Sequence, residues 1–166
     1  MQIALAQAEE ALNQGDFPVG AVLMIEGQLA AQERNHIFSQ QRSAAHAETT
    51  LLVEHSAVVR AAYKAGKEVV LYSTLEPCLM CLGMTLVHHI PKIVVACPDP
   101  MGGATRLDPQ TLGGWYVNSW PHIEMGLYRE ASWALLMQFL RKADGRWQPM
   151  LHLFEKMYTQ WQDNPL

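Results

Sequence analysis

Short apolar segments alternate with longer helical segments along this 166-residue chain, and that alternation restricts its fold more than any other feature. Runs such as VGAVLMI and KIVVAC are rich in β-forming residues, whereas the segments between them carry apolar residues at helical spacing. The expected elements are a helix over 3–12, strands over 19–25 and 28–35, a helix over 43–64, a strand over 68–73, a helix over 78–89 and a strand over 92–97. This alternation predicts an α/β layered domain with some parallel strand pairing.

The sequence after these elements begins with a segment rich in turn-forming residues. Residues 98–121 contain four glycines and four prolines, which predicts a long loop with little regular structure. An edge strand over 122–126 and a helix over 127–143 follow. Four apolar or aromatic residues of the tail recur at helical spacing, and we expect them to pack on the core or on a second subunit: Leu151, Phe154, Tyr158 and Trp161.

Charge and composition restrict the setting of the protein. The net charge of −4 argues against a protein whose main activity is to bind a phosphate backbone. Residues 1–33 hold no lysine or arginine, so a polyanion would have to contact residues 34–106, whose net charge is +2. No apolar run reaches the ~18 residues of a membrane-spanning helix, and the N-terminus lacks the basic cluster of a signal peptide. Three cysteines are too few for a disulfide-built fold, so we expect a reducing cytoplasm.

Two short blocks carry the residues with the clearest chemistry: His46-Ala47-Glu48 and, about thirty residues later, Pro77-Cys78-Leu79-Met80-Cys81. Cys78 and Cys81 are three residues apart, so both thiolates project to one side of the first turn of a helix. His46 and Glu48 lie roughly 200° apart around an ideal helix, which places a metal ion off the helix end. One histidine and two cysteines form the ligand set of a catalytic zinc whose fourth position is open to water.

Other histidines and cysteines do not form a second ligand motif. We expect Cys97 to be a buried thiol at a strand end, and His88 and His89 to end a helix before Pro91. An isolated CxxC is also typical of a redox pair, but the accompanying His-x-Glu block favours a metal site.

Together the two blocks resemble the H-x-E…P-C-x-x-C signature of zinc-dependent nucleobase deaminases. The resemblance is greatest to bacterial tRNA-specific adenosine deaminases, within the cytidine and deoxycytidylate deaminase superfamily. It is carried by PVGAVLM at 18–24, Asn35, AHAE at 45–48, TLEPCLMCLGM at 74–84, DPMGGA at 99–104 and HIEMGL at 122–127. We therefore divide the chain into a CMP/dCMP-type deaminase domain of residues 1–143 and a C-terminal helical extension of residues 144–166.

This resemblance implies a cytidine deaminase-like fold, a three-layer α/β/α sandwich with a mixed five-stranded sheet, and a homodimer. It implies one Zn²⁺ per chain with a bound water or hydroxide, held by His46, Cys78 and Cys81, and it makes Glu48 the catalytic proton carrier. Four further residues would bind the base: Asn35 by a hydrogen bond, Ala47 through its backbone, and Phe17 and Val19 as pocket walls.

The resemblance leaves three functions open. The first is conversion of adenosine to inosine in tRNA, and the second is deamination of a free base or nucleoside such as guanine, adenine or cytosine. The second is favoured by the net charge and by the 98–121 loop, which has Met101 where lysine is common and Arg106 as its single cation. Trp115, Tyr116 and Trp120 of that loop would stack on RNA bases or form a lid over a small ligand. The third function, a catalytically silent partner subunit, is opposed by the presence of Glu48.

Overall fold

A computed structural model describes residues 1–163, within which five strands and seven α-helices form one layered unit. The strands are β1 (Gly20–Ile25), β2 (Gln28–Arg34), β3 (Val69–Leu75), β4 (Lys92–Cys97) and β5 (His122–Met125). The helices are α1 (Gln2–Asn13), α2 (Ala47–Glu54), α3 (Ser56–Lys64), α4 (Leu79–Val87), α5 (Gly114–Ser119), α6 (Arg129–Lys142) and α7 (Gln148–Asp163). Short 3₁₀ turns occupy Pro109–Thr111 and Gly145–Trp147.

The sheet is mixed, with strand order β2-β1-β3-β4-β5. The hairpin partner β2 and the central strand β3 both run antiparallel to β1, whereas β3, β4 and β5 are parallel to one another. Parallel neighbours require crossover connections, and α4 supplies the one between β3 and β4. The expected mixed five-stranded sheet is confirmed.

Helices cover both faces of the sheet in two groups. Helix α2 packs with α4 and contacts β1 and β2, and Ser73 of β3 contacts its Glu48, whereas α6 packs with α1 and contacts β3 and β4. Helix α1 packs beside α6 and approaches β1 closely at Gly20. Glycine permits this approach, because a Cβ atom there would collide with the backbone of Ala4 and Ala8. The three-layer α/β/α arrangement predicted from the resemblance is confirmed.

The predicted single helix over 43–64 is wrong in two respects. Helix α2 begins at Ala47, and His55 separates it from α3. Residues 36–46 form a loop held by the buried carboxylate of Asp16, which accepts hydrogen bonds from the backbone of Phe38 and Ser39 at 2.7 and 2.9 Å. Within the predicted range, the Ala45 carbonyl oxygen accepts a hydrogen bond from the His36 amide at 2.9 Å, so this residue is part of the loop rather than of a helical turn.

The prediction of little regular structure over 98–121 is also wrong in part. The Asp108 carboxylate accepts a hydrogen bond from the Gln110 amide at 2.9 Å, which caps the 3₁₀ turn that begins at Pro109. Helix α5 follows at Gly114–Ser119, with the ring of Trp115 packed 6.2 Å from that of His89.

The C-terminal extension is helical and packs on the core, as its apolar spacing predicts. Phe154 is fully buried and Met150 nearly so, and the ring of Tyr158 stacks on that of Trp133 at 4.0 Å. The guanidinium of Arg129 lies 4.4 Å above the ring of Trp161. None of the helices within residues 1–163 combines the length and apolarity needed to cross a bilayer.

Candidate active site and metal centre

Two helix N-termini bring the His-x-Glu and Cys-x-x-Cys blocks together. His46 is the N-cap residue of α2, and Cys78 is the N-cap residue of α4. Both have extended backbone conformations, with ψ of 154° and 173°, so their side chains leave the helix ends rather than the helix faces. Since α2 and α4 pack against each other, these ends meet, and Cys81 joins them from the first turn of α4.

The spacing of the three side chains fits a tetrahedral zinc ion. The two Sγ atoms of Cys78 and Cys81 lie 3.7 Å apart, and His46 Nδ1 lies 3.9 and 3.6 Å from them. Tetrahedral zinc with ordinary bond lengths requires about 3.8 Å between two sulfur ligands and about 3.6 Å between sulfur and nitrogen. These are the only three residues in the described part of the chain that converge in this way. The donor set and its spacing therefore match zinc.

Charge at this site favours the anionic form of a ligand. A hydrogen bond from the Cys81 thiol, followed by one from His46, lowers the pKa of Cys78 to about 3. The N-terminal end of α4 adds a positive dipole at the same position. Because the thiolate is the form that binds metal, Cys78 is prepared for coordination. Cys97, by contrast, is buried outside the group, and burial raises its pKa.

Glu48 lies beside the three converging side chains but is not one of them. Its carboxylate is buried, with Oε1 2.8 Å from Ser73 Oγ and Oε2 3.4 Å from Cys81 Sγ. Burial raises the pKa of the Glu48 carboxyl, which makes the protonated form more accessible than at a surface carboxylate. A buried carboxyl group beside the converging ligand candidates is chemically able to take up and release a proton there.

A cavity of about 360 Å³ opens directly onto these groups. Its walls include His46, Glu48 and Cys78, and three of the four base-binding residues expected from the sequence, Phe17, Val19 and Asn35, also line the cavity. The fourth, Ala47, is buried at the first residue of α2 and is not part of the lining. The predicted lid residues Trp115, Tyr116 and Trp120 are also absent from the lining of this cavity.

Asn35 has a structural contact as well as a place in the cavity wall. Its Oδ1 accepts a hydrogen bond from the Ile37 amide at 2.9 Å, which fixes the side chain at the end of β2. Within residues 1–163 its Nδ2 makes no hydrogen bond to the protein. The side chain is therefore oriented with a donor available to a ligand.

Sequence reasoning missed several cavity residues that come from distant segments. They are Ile37 and Phe38 from the loop after β2, Leu75 and Glu76 at the end of β3, Asp99, Met101 and Gly102 after β4, and Trp147 and Met150 from the extension. Glu76 belongs to the TLEPC block, so its place two residues before Cys78 could have identified it as a residue near the metal centre. Leu75 belongs to the same block, and Asp99, Met101 and Gly102 belong to DPMGGA at 99–104. The remaining residues, Ile37, Phe38, Trp147 and Met150, have no local pattern that relates them to the metal-binding blocks.

Glu76 fastens the loop after β4 to the metal-ligand loop. Its buried carboxylate accepts hydrogen bonds from the Asp99 amide at 2.9 Å and the Thr105 amide and hydroxyl at 3.1 and 2.5 Å. Arg106 forms an ion pair with it at 3.4 Å. Gly103 forms a bridge with Cys78, and a Cβ atom there would collide with the Glu76 carboxylate. This network holds the loop across the metal centre.

Comparison with known proteins agrees with this geometry. Residues 1–97 match the family model of the cytidine and deoxycytidylate deaminase zinc-binding region. The chain belongs to this deaminase family. The matched range of the deaminase contains all three converging ligand candidates, so the family and the donor geometry both indicate zinc.

Curated relatives of the deaminase extend the similarity beyond the zinc-binding region. The tRNA-specific adenosine deaminase of Bacillus subtilis is 32% identical over 142 residues, which cover 86% of this chain and 87% of the relative. That of Agrobacterium fabrum is 32% identical over 147 residues, covering 86% and 92%. The deaminase is therefore a hydrolytic enzyme acting on a nucleobase.

Solved structures give the same fold. A structure from a study of A-to-I editing by tRNA:A34 deaminases at the wobble position of tRNA has a TM-score of 0.60 and 30% identity, covering 82% of this chain and 97% of its own. Guanine deaminase from Nitrosomonas europaea superposes with a TM-score of 0.63 at 23% identity, covering 83% and 81%, and so shares the fold.

Proposed function

We propose that this deaminase converts adenosine to inosine in tRNA, releasing ammonia. The placement of Glu48 beside His46, Cys78 and Cys81 at one cavity carries the chemical part of this proposal. The similarity to tRNA-specific adenosine deaminases over 86% of the chain supports the substrate.

His46, Cys78 and Cys81 would hold one zinc ion, which when bound lowers the pKa of a water molecule and supplies a hydroxide nucleophile at neutral pH. Glu48 would accept a proton from the water and deliver it to the ring nitrogen beside the carbon that bears the amine. It would then take the proton of the hydroxyl now attached to that carbon and give it to the amine as the C–N bond breaks. Water and the aminated base thus give a carbonyl and ammonia. The walls of the cavity exclude bulk water from the carboxylate that moves the protons.

The cavity residues would position the base. Asn35 offers its unused Nδ2 as a hydrogen-bond donor, and the backbone of Ala47 lies next to His46 at the start of α2. Phe17 and Val19 supply apolar walls. A few polar groups in a mainly apolar cavity suit a flat heterocycle whose edge must be recognised.

The deaminase would act as a homodimer in the cytoplasm. Helices α2 and α4, which pack against each other, expose four large apolar side chains: Val53, Leu79, Met80 and Val87. Leu79 and Met80 lie between the two cysteine ligands, so a second subunit covering them would also shield the metal site. Three unpaired thiols, at Cys78, Cys81 and Cys97, suit a reducing compartment.

Deamination of a free base or nucleoside is the second candidate, favoured by the charge around the cavity. No lysine or arginine of the described chain lines it, and Arg106 is engaged by Glu76. A tRNA substrate must therefore find its phosphate contacts outside the cavity.

One panel of substrates separates these functions. The purified, zinc-loaded protein is assayed for ammonia release from an anticodon stem-loop with adenosine at the wobble position, a matched stem-loop with guanosine there, and free bases and nucleosides. We expect release from the adenosine stem-loop alone. Release from a free base would favour the second candidate, and none from any substrate would revive the silent-subunit hypothesis.

A further inference from the structure

The C-terminal extension is fixed against the catalytic domain. Its 3₁₀ turn, Gly145–Trp147, is capped by Asp144, whose carboxylate accepts a hydrogen bond from the Arg146 amide at 3.1 Å. Beyond the turn, Met150 and Phe154 of α7 enter the main apolar core. Because Met150 and Phe154 follow Trp147 closely in the sequence, their burial in the core gives Trp147 a defined position.

Three aromatic rings from separate parts of the chain set the orientation of Trp147. The ring of Phe17, between α1 and β1, lies 5.5 Å away at an interplanar angle of 33°. Phe38 from the loop after β2 and Phe139 from α6 meet it edge-on, at 6.2 Å and 85° and at 5.9 Å and 75°. Such packing holds a ring in a limited range of orientations.

This oriented ring faces the substrate cavity. Trp147 and Met150 line the same cavity as His46 and Glu48, and Trp147 is only partly buried, so part of the indole remains available to a ligand. The structure from the tRNA:A34 deaminase study matches 97% of its own length but 82% of this chain, so part of this chain has no counterpart there.

We propose that the extension builds a base-stacking subsite in the active-site cavity, in which the Trp147 indole contacts the face of a purine while Glu48 and the metal centre act on its edge. This rests on the proposed function in that the purine is the substrate base. Aromatic side chains recognise nucleobases by stacking, and the interaction depends on the ring face rather than on the exocyclic amine. The subsite is therefore expected to bind a purine without an exocyclic amine as well as the substrate base.

Steady-state kinetics on the adenosine stem-loop test the subsite through Trp147→Ala, Trp147→Phe and Trp115→Ala. Trp115 is a partly exposed tryptophan outside the cavity, so its variant is a matched control. We expect Trp147→Ala to raise KM about 10-fold while kcat changes less than about threefold, because stacking adds mainly to binding. Trp147→Phe retains a ring and should keep KM within about threefold of wild type. An unchanged KM in Trp147→Ala overturns the subsite.

Tryptophan fluorescence with purine riboside, which has no amine to lose, tests the subsite without turnover. We expect saturable quenching in the wild type and in Trp115→Ala, and loss of most of the quenching amplitude in Trp147→Phe. Absence of quenching in the wild type, or equal quenching in Trp147→Phe, overturns the subsite. If no substrate is deaminated but the Trp147-dependent quenching is present, the proposed function fails and the subsite stands.

Discussion

Ser73 and Glu48 connect the central strand to the first turn of α2 beneath the metal ligands. Ser73 Oγ lies 2.8 Å from Glu48 Oε1 and 2.7 Å from the Leu75 carbonyl oxygen. A hydroxyl has one proton to donate, so both contacts are satisfied when a protonated Glu48 donates to Ser73 and Ser73 donates to Leu75. The burial that raises the Glu48 pKa favours the same arrangement. This arrangement would hold a proton on Glu48, as the proposed proton transfer requires.

Replacing Glu48 tests the proton carrier. We expect Glu48→Gln to retain zinc, because Glu48 is not one of the three converging ligand candidates, and to lower the rate of ammonia release by at least about 100-fold. Zinc content by atomic absorption and ammonia release are measured on the same preparation. Full zinc occupancy together with undiminished ammonia release would show that Glu48 has another role.

Removing the Ser73 hydroxyl tests whether it positions that carboxyl. We expect Ser73→Ala to lower kcat about 10-fold with KM little changed. Ser132→Ala is the matched control, since Ser132 is equally buried but its hydroxyl bonds to the Thr74 carbonyl on the opposite face of the sheet. The control should lower the melting temperature without lowering kcat. Equal kcat values for both variants would remove Ser73 from the catalytic arrangement.

The ligand assignment distinguishes among the three cysteines. We expect Cys81→Ala to abolish stoichiometric zinc binding and to lower the melting temperature, because metal binding stabilises the folded state. Cys97→Ala should keep zinc, since Cys97 lies outside the converging group. Chelation should lower the melting temperature of the Cys97 variant and of the wild type alike. Stoichiometric zinc in Cys81→Ala contradicts the assignment.

The Glu76 network predicts unequal effects for two glycines of the same loop. A Cβ atom at Gly103 would meet the Glu76 carboxylate, whereas one at Gly113 would meet no atom within 4 Å. We expect Gly103→Ala to lower the free energy of unfolding by about 2 kcal/mol and Gly113→Ala to leave it nearly unchanged. Urea unfolding measures both. If the two variants unfold alike, the loop adjusts and Glu76 does not fix it.

Local patterns predicted much of this molecule, because they act through neighbours in the chain. Apolar spacing gave the strands of the sheet and most helices, and the two metal-binding blocks lie at helix N-termini that meet. The start of α2 at Ala47 was not predictable from spacing, because long-range contacts hold the loop before it. The buried Asp16 holds the loop before α2, and the ring of Trp115 packs near that of His89.

Several residues of the cavity wall could not be predicted from local sequence either. Phe38, Asp99 and Trp147 come from three segments that are far apart in sequence and meet only after folding. Phe38 and Trp147 are ordinary aromatic residues in their local sequences, so no motif identifies them. Asp99 belongs to the DPMGGA block, but its spacing from the metal-binding blocks does not relate it to the cavity. The division of the chain at residue 143 stays a prediction, although Phe154 of the extension is buried in the core shared with residues before it.

The proposal that this deaminase acts on adenosine in tRNA is tested most directly by following inosine formation in an anticodon stem-loop. The wild type, loaded with zinc, and Glu48→Gln are incubated with the adenosine stem-loop and with free adenine, guanine and cytosine, and products are identified by mass spectrometry. We expect the wild type to form inosine in the stem-loop with one equivalent of ammonia, and Glu48→Gln to form almost none. Deamination of a free base with the stem-loop unchanged would contradict the account.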